Sequence, residues 1–221
     1  LDRFFNKLAY PDHVAAYVKG RTPRDTARKH AGKPWVLIMD LRDFFPSTRN
    51  AWVRKAVQNH FGYDRKVASY FTALMTTSIQ RAQGVFVGVP QGAPTSGAIC
   101  NWVAYDRLDI PILALCKEHD ITYTRYADDL EFSSATALNR SKTNAFIREI
   151  TRIVKSSGYR LNSKKTRVTR TGRQQRMLGM TINEKPNVMR FQFKKLRAMI
   201  HHCKQKGFVA KAKELKYPSG D

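Results

Sequence analysis

The chain is short of acid. Its 221 residues hold 17 Asp and Glu against 40 Lys and Arg, a formal charge of +23. Such a surface calls for a polyanionic partner, nucleic acid before a membrane. Cysteine is scarce as well. The three present, Cys100, Cys116 and Cys203, are too few for a disulfide framework or a zinc ribbon and fit a reducing cytoplasm. No long apolar run qualifies as a membrane span: the uncharged stretch 82–105 carries Gly84, Gly88, Pro90, Gly92, Pro94 and Gly97. The opening LDRFFNKLAY has no signal-peptide pattern, and without an initiator Met the chain is expected to begin inside a longer protein. Repeats and low-complexity tracts are missing too. What is present is ordinary globular composition, 42% hydrophobic and 26% charged, which excludes disorder. The length allows one domain or two small ones around a substantial core.

Residues 1–34 read as basic and turn-rich. WVLIMD at 35–40 is a buried-strand pattern ending in an acid. FFPSTRN breaks the chain, and Ser47 or Thr48 is placed to cap a helix over 49–61. A second helix is expected over 64–79, then a strand fragment and a Gly/Pro loop in GVFVGVPQGAP. Residues 95–119 read as a long helix interrupted near Pro111. ITYTRYADDLEFSS reads as two short strands about a tight turn at Ala127–Asp128. A helix over 137–156 closes at Gly158. KTRVTR and RMLGMTIN read as strands, and FQFKKLRAMIHHCKQK as an amphipathic helix. Strands separated by crossing helices, with a hairpin between, suit an α+β fold with a split βαβ core.

Three carboxylates carry chemistry. Asp40 ends a hydrophobic strand; Asp128 and Asp129 lie in a hairpin turn. Strand-end acids from neighbouring strands can converge on one point. Mg²⁺ takes hard oxygen ligands and keeps room for water and phosphate oxygens. Two such ions about 3.5–4 Å apart can serve both the attacking and the leaving oxygen of a phosphoryl transfer. An isolated Asp-Asp in a turn is more often a solvated pair. The preceding Tyr126-Ala127, with apolar strand residues on both sides, favours a site.

These segments resemble reverse transcriptases. YADD (126–129) is similar to the family's catalytic box and DLRDFFPS (40–47) to its first carboxylate motif. VPQGAPTS (89–96) resembles the nucleotide-binding loop, LNSKKT (161–166) the lysine motif and RMLG (176–179) the primer-grip hairpin. All five stand in the family's order over about 40–180. Among members, YTRYADDL, DFFPS, PQGAPTS, NSKKT and KKLRAMIHH look most like bacterial retron enzymes. Two departures stand: Thr26-Ala27-Arg28-Lys29-His30 where retron enzymes usually carry Asn-Ala-x-x-His, and Met177-Leu178-Gly179 where they carry Val-Thr-Gly. The second resembles group II intron and other bacterial enzymes.

The resemblance implies a right-hand polymerase fold, with fingers in 1–34 and 49–93, a split βαβ palm in 35–48 and 94–183, and primer-grip exit and start of thumb in 184–221. It implies an RNA-directed DNA polymerase with two Mg²⁺ ions held by Asp40 and Asp128, Asp129 assisting and the Leu41 carbonyl adding a ligand. Leu41, Arg42, Asp43, Phe44 and Phe45 would line the nucleotide, with Phe45 as the aromatic gate that excludes a ribose 2′-hydroxyl. Of the two adjacent rings, a strand exit could bury one and expose the other. Gln91 and Gly92 would contact the incoming nucleotide; Lys165, with Lys164 adjacent, would neutralise or protonate the departing pyrophosphate. Lys19 and Arg21 are nucleotide-binding candidates, and Arg28, Arg173, Arg176, Leu178, Gly179, Lys194 and Lys195 nucleic-acid-binding ones.

Residues 160–216 hold seventeen Lys and Arg against Glu184 and Glu214, with Tyr159 preceding them and Phe191, Phe193 and Phe208 among them. Cations interleaved with aromatics suit a primer–template backbone. His201-His202-Cys203 point in different directions on a helix and make no metal site; His30 and Cys100 are expected to be structural. The implied partners are a structured noncoding RNA, its RNA–DNA hybrid product, deoxynucleoside triphosphates and an accessory effector of antiphage defence, with no membrane. Three alternatives remain: a group II intron-like or other defence reverse transcriptase, a non-catalytic RNA-binding scaffold, and an RNA-dependent RNA polymerase, against which Phe45 argues.

Overall fold

The computed structural model describes residues 9–81 and 84–208. Residues 209–216 of the basic stretch lie outside that range, as does most of the LDRFFNKLAY opening. The elements run α1 (Pro23–His30), β1 (Trp35–Asp40), α2 (Phe44–Ser47), α3 (Asn50–Phe61), α4 (Arg65–Met75), β2 (Thr77–Arg81), β3 (Gly84–Gly88), α5 (Ser96–Ala104), α6 (Ile110–Glu118), β4 (Ile121–Tyr126), β5 (Asp129–Ser134), α7 (Arg140–Ser156), β6 (Arg167–Arg170), β7 (Arg176–Met177), β8 (Met180–Thr181), β9 (Asn187–Val188) and α8 (Arg190–Lys206).

An antiparallel sheet in the order β4-β5-β1-β6 organises the molecule. β1 is apolar at consecutive positions because both its faces are covered. Trp35, Leu37 and Met39 join Leu130 and Phe132 in the main core with α3, α5, α6 and α7. Val36 and Ile38 face the other way, onto Ala27 of α1 and Met177 and Ile182 of the small β7-β8-β9 sheet. A buried polar chain crosses this second face. His30 Nδ1 lies 2.7 Å from Ser133 Oγ, His30 Nε2 lies 2.7 Å from Thr124 Oγ1, and Thr124 Oγ1 donates to Glu131 Oε2 at 2.8 Å. Burial, with Lys29 and Lys33, pushes His30 down to about 3; burial pushes Glu131 up to about 8. Both shifts run toward the neutral form, the direction burial imposes on a titratable group.

Several expectations shift. The stretch 1–34 is not all turn: Thr22 accepts from the Asp25 amide, Asp25 accepts from the Thr22 amide, and Pro23 opens α1, a complete capping box. The helix expected over 64–79 stops at Met75, because the β-branched run after it pairs with 84–88 as a hairpin. Neither Ser47 nor Thr48 caps α3; its N-cap is Arg49, and Thr48 Oγ1 instead donates to the Phe44 carbonyl at 2.9 Å. The long helix is interrupted one turn before Pro111, by a π-helical segment at Tyr105–Asp109. A widened turn absorbs the missing proline N–H and its ring clash without breaking the axis. The apolar stripe of α8 (Phe191, Phe193, Leu196, Ile200) is exposed and joins no core cluster among the described residues.

Candidate active site

Strand register creates the site. Asp40, the last residue of β1, lies directly opposite Asp129, the first of β5. Opposed residues of an antiparallel pair sit about 4.5–5.5 Å apart, on one face. Asp128 occupies the tight turn before β5, and the Leu41 amide donates to its carbonyl at 2.9 Å. Ala127 takes φ +56°, a left-handed conformation that lets β4 and β5 join through two residues.

Beneath the turn lies a residue that sequence reasoning passed over. Arg125 is fully buried. Its guanidinium donates to both Asp109 oxygens (2.8–3.1 Å), to Asn101 Oδ1 at 2.9 Å, and to the Ala127 carbonyl at 3.3 Å. Burial alone would raise the Asp109 carboxyl, but Arg125 and His13, whose Nε2 lies 3.1 Å away, hold it well below the usual range. An ion pair this dry is costly unless each donor is satisfied; here it holds the end of β4 and, through the Ala127 carbonyl, the turn that carries Asp128.

Lys165 reaches Asp40 from the segment that leads into β6, the neighbour of β1 on the side away from β5. Its Nζ donates to Asp40 Oδ2 at 2.7 Å, and that bond raises its pKa. Lys164 makes no such contact among the described residues. The other two carboxylates are driven up. Burial, then Asp128 and Asp40, push Asp129 to about 6; burial and Asp40 also raise Asp128. Among the described residues no set of three His, Cys, Asp or Glu is already closed around one point. The donor chemistry nonetheless fits a hard cation: three carboxylates repel one another, and an ammonium already stands against one of them.

Phe44 and Phe45 divide as a strand exit allows. Phe44 is buried under the Arg125 guanidinium, 5.8 Å from its ring. Phe45 is half-buried and meets Phe44 edge-on at 5.3 Å. It also meets Tyr17, a second residue that sequence reasoning missed. Its ring lies 5.8 Å from Phe45, T-shaped, and its backbone takes φ +59°. Burial raises the Tyr17 phenol, and Asp128 adds to the shift.

Asp43 also takes a left-handed φ, +51°, with Arg42 3.7 Å from its carboxylate, both exposed. Gln91 and Gly92 are exposed in the loop before α5, with Gly92 at φ +97°. Lys19 and Arg28 are exposed. Arg21 was expected to bind nucleotide, but its guanidinium is committed to the carbonyls of Tyr10, Pro11 and Val14. It staples the 10–21 loop and has few donors to spare. Leu178 and Gly179, at φ +47° and +76°, form the two-residue turn between β7 and β8, a mirror-image turn suited to strand twist. Arg173 is exposed, and Arg176 is exposed and bonded to Gln174 Oε1 at 2.8 Å. Lys194 and Lys195 are exposed on α8.

Fold and site together define a right-hand polymerase. Solved telomerases share the fold: one from Candida tropicalis superposes with a TM-score of 0.55 at 12% identity, over 83% of this chain and 38% of that one. A Candida albicans telomerase in complex with a fragment of telomeric RNA gives 0.54 at 14% identity, over 76% and 32%. The chain belongs to the family described as Reverse transcriptase (RNA-dependent DNA polymerase), which matches residues 3–182. Within it the resemblance is to retron-type enzymes. It is 39% identical over 208 residues to the Retron Mx65 reverse transcriptase of Myxococcus xanthus, covering 89% of this chain and 47% of that protein. It is 35% identical over 221 residues to the Retron Mx162 reverse transcriptase of the same organism, covering 88% and 45%. To the Retron Ec86 reverse transcriptase of Escherichia coli it is 30% identical, covering 100% and 64%. The chain thus spans about half the length of the first two.

Proposed function

We propose that this chain holds the catalytic centre of a retron-type reverse transcriptase, an RNA-directed DNA polymerase that copies a structured noncoding RNA. The observation that carries the reading is the carboxylate cluster: Asp40 and Asp129 in register on adjacent strands, Asp128 in the turn between, Lys165 against Asp40. Asp40, Asp128 and the Leu41 carbonyl would hold two magnesium ions, with Asp129 assisting. The ions would supply charge neutralisation at the attacking and departing oxygens.

The remaining work falls to the chain's own groups. Arg125 and Asp109 hold the turn so that the carboxylates do not reorganise during reaction. Lys165 would leave Asp40 when nucleotide binds and turn to the phosphates, where an ammonium can neutralise or protonate the departing pyrophosphate. Phe45 would close the space of a ribose 2′-hydroxyl and so favour deoxynucleotides. Gln91 and the backbone at Gly92 would contact the sugar or base. The exposed cations of α1, β7 and α8 would track the primer–template backbone. Service in antiphage defence, with an accessory effector, belongs to the same reading.

Primer extension on an RNA template with Mg²⁺ and labelled deoxynucleotides tests it. Wild type should extend; Asp128→Asn and Asp129→Asn should not, while still binding RNA. Extension that survives both substitutions would sink the metal assignment. Wild-type RNA binding without extension would mark a non-catalytic scaffold.

A further inference from the structure

Tyr17 belongs to no recognised motif, and three observations bear on its position. First, its backbone is left-handed at φ +59°, a conformation that non-glycine residues rarely adopt and that persists where surroundings over-determine it. The surroundings do so here. The Asn101 side chain donates to the Ala16 carbonyl at 2.8 Å, the Ala15 amide donates to the Arg125 carbonyl at 3.1 Å, and Arg21 grips the Val14 carbonyl. Second, the Tyr17 ring lies flat on Gly97 of α5. A Cβ at position 97 would come within 2.2 Å of the ring, so only glycine leaves room. Third, the ring meets Phe45 edge-on at 5.8 Å with planes at 74°, the favoured geometry of an aromatic pair.

Phe45 therefore meets two rings, buried Phe44 and the half-exposed Tyr17, and Tyr17 is itself seated on the helix that follows the Gln91–Gly92 loop. We propose that Tyr17 is a specificity-determining positioning residue: by bracing the Phe45 ring from the fingers side, it sets how strictly the site rejects a 2′-hydroxyl. This rests on the reading of Phe45 as the sugar gate. The Tyr17 ring does the bracing; its hydroxyl has no hydrogen-bond partner among the described residues. Gly97 acts through the same contact, since a methyl there would push the ring off its seat.

The test is single-nucleotide incorporation on a primed RNA template, reading kcat/KM for dGTP over GTP alongside thermal melts. Tyr17→Phe should keep the wild-type ratio. Tyr17→Ala and Gly97→Ala should each lower the deoxy preference by about threefold to tenfold, the range an aromatic pair supplies. Tyr17→Ala added to Phe45→Ala should lower it no further than Phe45→Ala alone, because the two act as one unit. Tyr17→Leu keeps bulk without the ring; it should show the same loss, and it replaces the alanine variant if that one fails to fold. An unchanged ratio in Tyr17→Leu or Tyr17→Ala, while Phe45→Ala collapses it, overturns the proposal and leaves the gate standing. So does reduced turnover at constant ratio, which would make Tyr17 merely structural. An unchanged ratio in Phe45→Ala would instead overturn the gate reading itself.

Discussion

Lys165 Nζ and Asp40 Oδ2 stand 2.7 Å apart although 125 residues separate them in the chain. The ammonium takes up one carboxylate oxygen of Asp40, the residue proposed to hold a divalent cation. Replacing Lys165 with Ala should therefore have opposite effects on two measurements. Binding of Mn²⁺ without nucleotide, followed by calorimetry, should tighten by about two- to fivefold, the modest weight of an exposed pair. Nucleotide incorporation should slow by about a hundredfold, with little change in nucleotide KM. Weaker Mn²⁺ binding in the variant would show that Lys165 supports the carboxylate site and does not compete for it.

Asp129 gives a pH signature. Its carboxyl is raised to about 6 by burial, then by Asp128 and Asp40. The folded protein thus binds more protons than the unfolded chain between about pH 4 and 6. Stability contributed by this group is present below that window and falls as pH rises through it. In metal-free protein at pH 7, Asp129→Asn should therefore stabilise, by about 1–2 kcal/mol after allowance for solvent screening, while incorporation is lost. Urea denaturation at pH 5 and 7 measures it: the gain should shrink at pH 5. A loss of stability at pH 7 would contradict the assigned repulsion.

That Asp40, Asp128 and Asp129 would lie near one another was legible in the sequence, because a strand end and a hairpin turn carry them. The Arg125–Asp109 pair was not. An arginine in a strand reads as solvated, and only tertiary packing places a partner sixteen residues earlier against it. Tyr17 was hidden for a similar reason: neither a left-handed backbone nor a ring seated on Gly97 leaves a local pattern. Helix α1 was readable, since Thr22-Pro23-Arg24-Asp25 spells a capping box, but the surrounding charge obscured it. The overlong helix after residue 64 shows the opposite fault. Local periodicity ran on where a strand partner, Gly84–Gly88, had the stronger claim on Thr77–Arg81.

Asp109→Asn tests the buried pillar. It leaves a guanidinium at zero exposure without its counter-charge, which should cost about 3–5 kcal/mol in chemical denaturation. An apolar pair, Arg125→Met with Asp109→Leu, should recover most of that loss, since neither charge is then stranded. It should not recover incorporation, because the Ala127 carbonyl loses the donor that anchors the turn. Full activity in the apolar pair would mean that the turn holds its shape without Arg125.

The exposed cations of α8 should act on nucleic acid as a class. Lys194 and Lys195 lie on one solvent-facing helix beside Phe193, whose ring has Arg197 stacked 5.5 Å away. Phosphate contacts release counterions, so log K falls linearly with log salt, by about 0.7–0.9 for each phosphate neutralised. Removing both lysines as Lys194→Gln and Lys195→Gln should lower the slope by about 1.5 and weaken every RNA sequence alike. Phe193→Ala should behave differently. It should weaken single-stranded RNA by about 1–3 kcal/mol if a base stacks on it, with the salt slope unchanged. Fluorescence anisotropy across a salt series separates the two effects. A double lysine variant with an unaltered slope would remove α8 from the nucleic-acid interface and leave its exposed Phe191, Phe193, Leu196 and Ile200 as a packing surface instead.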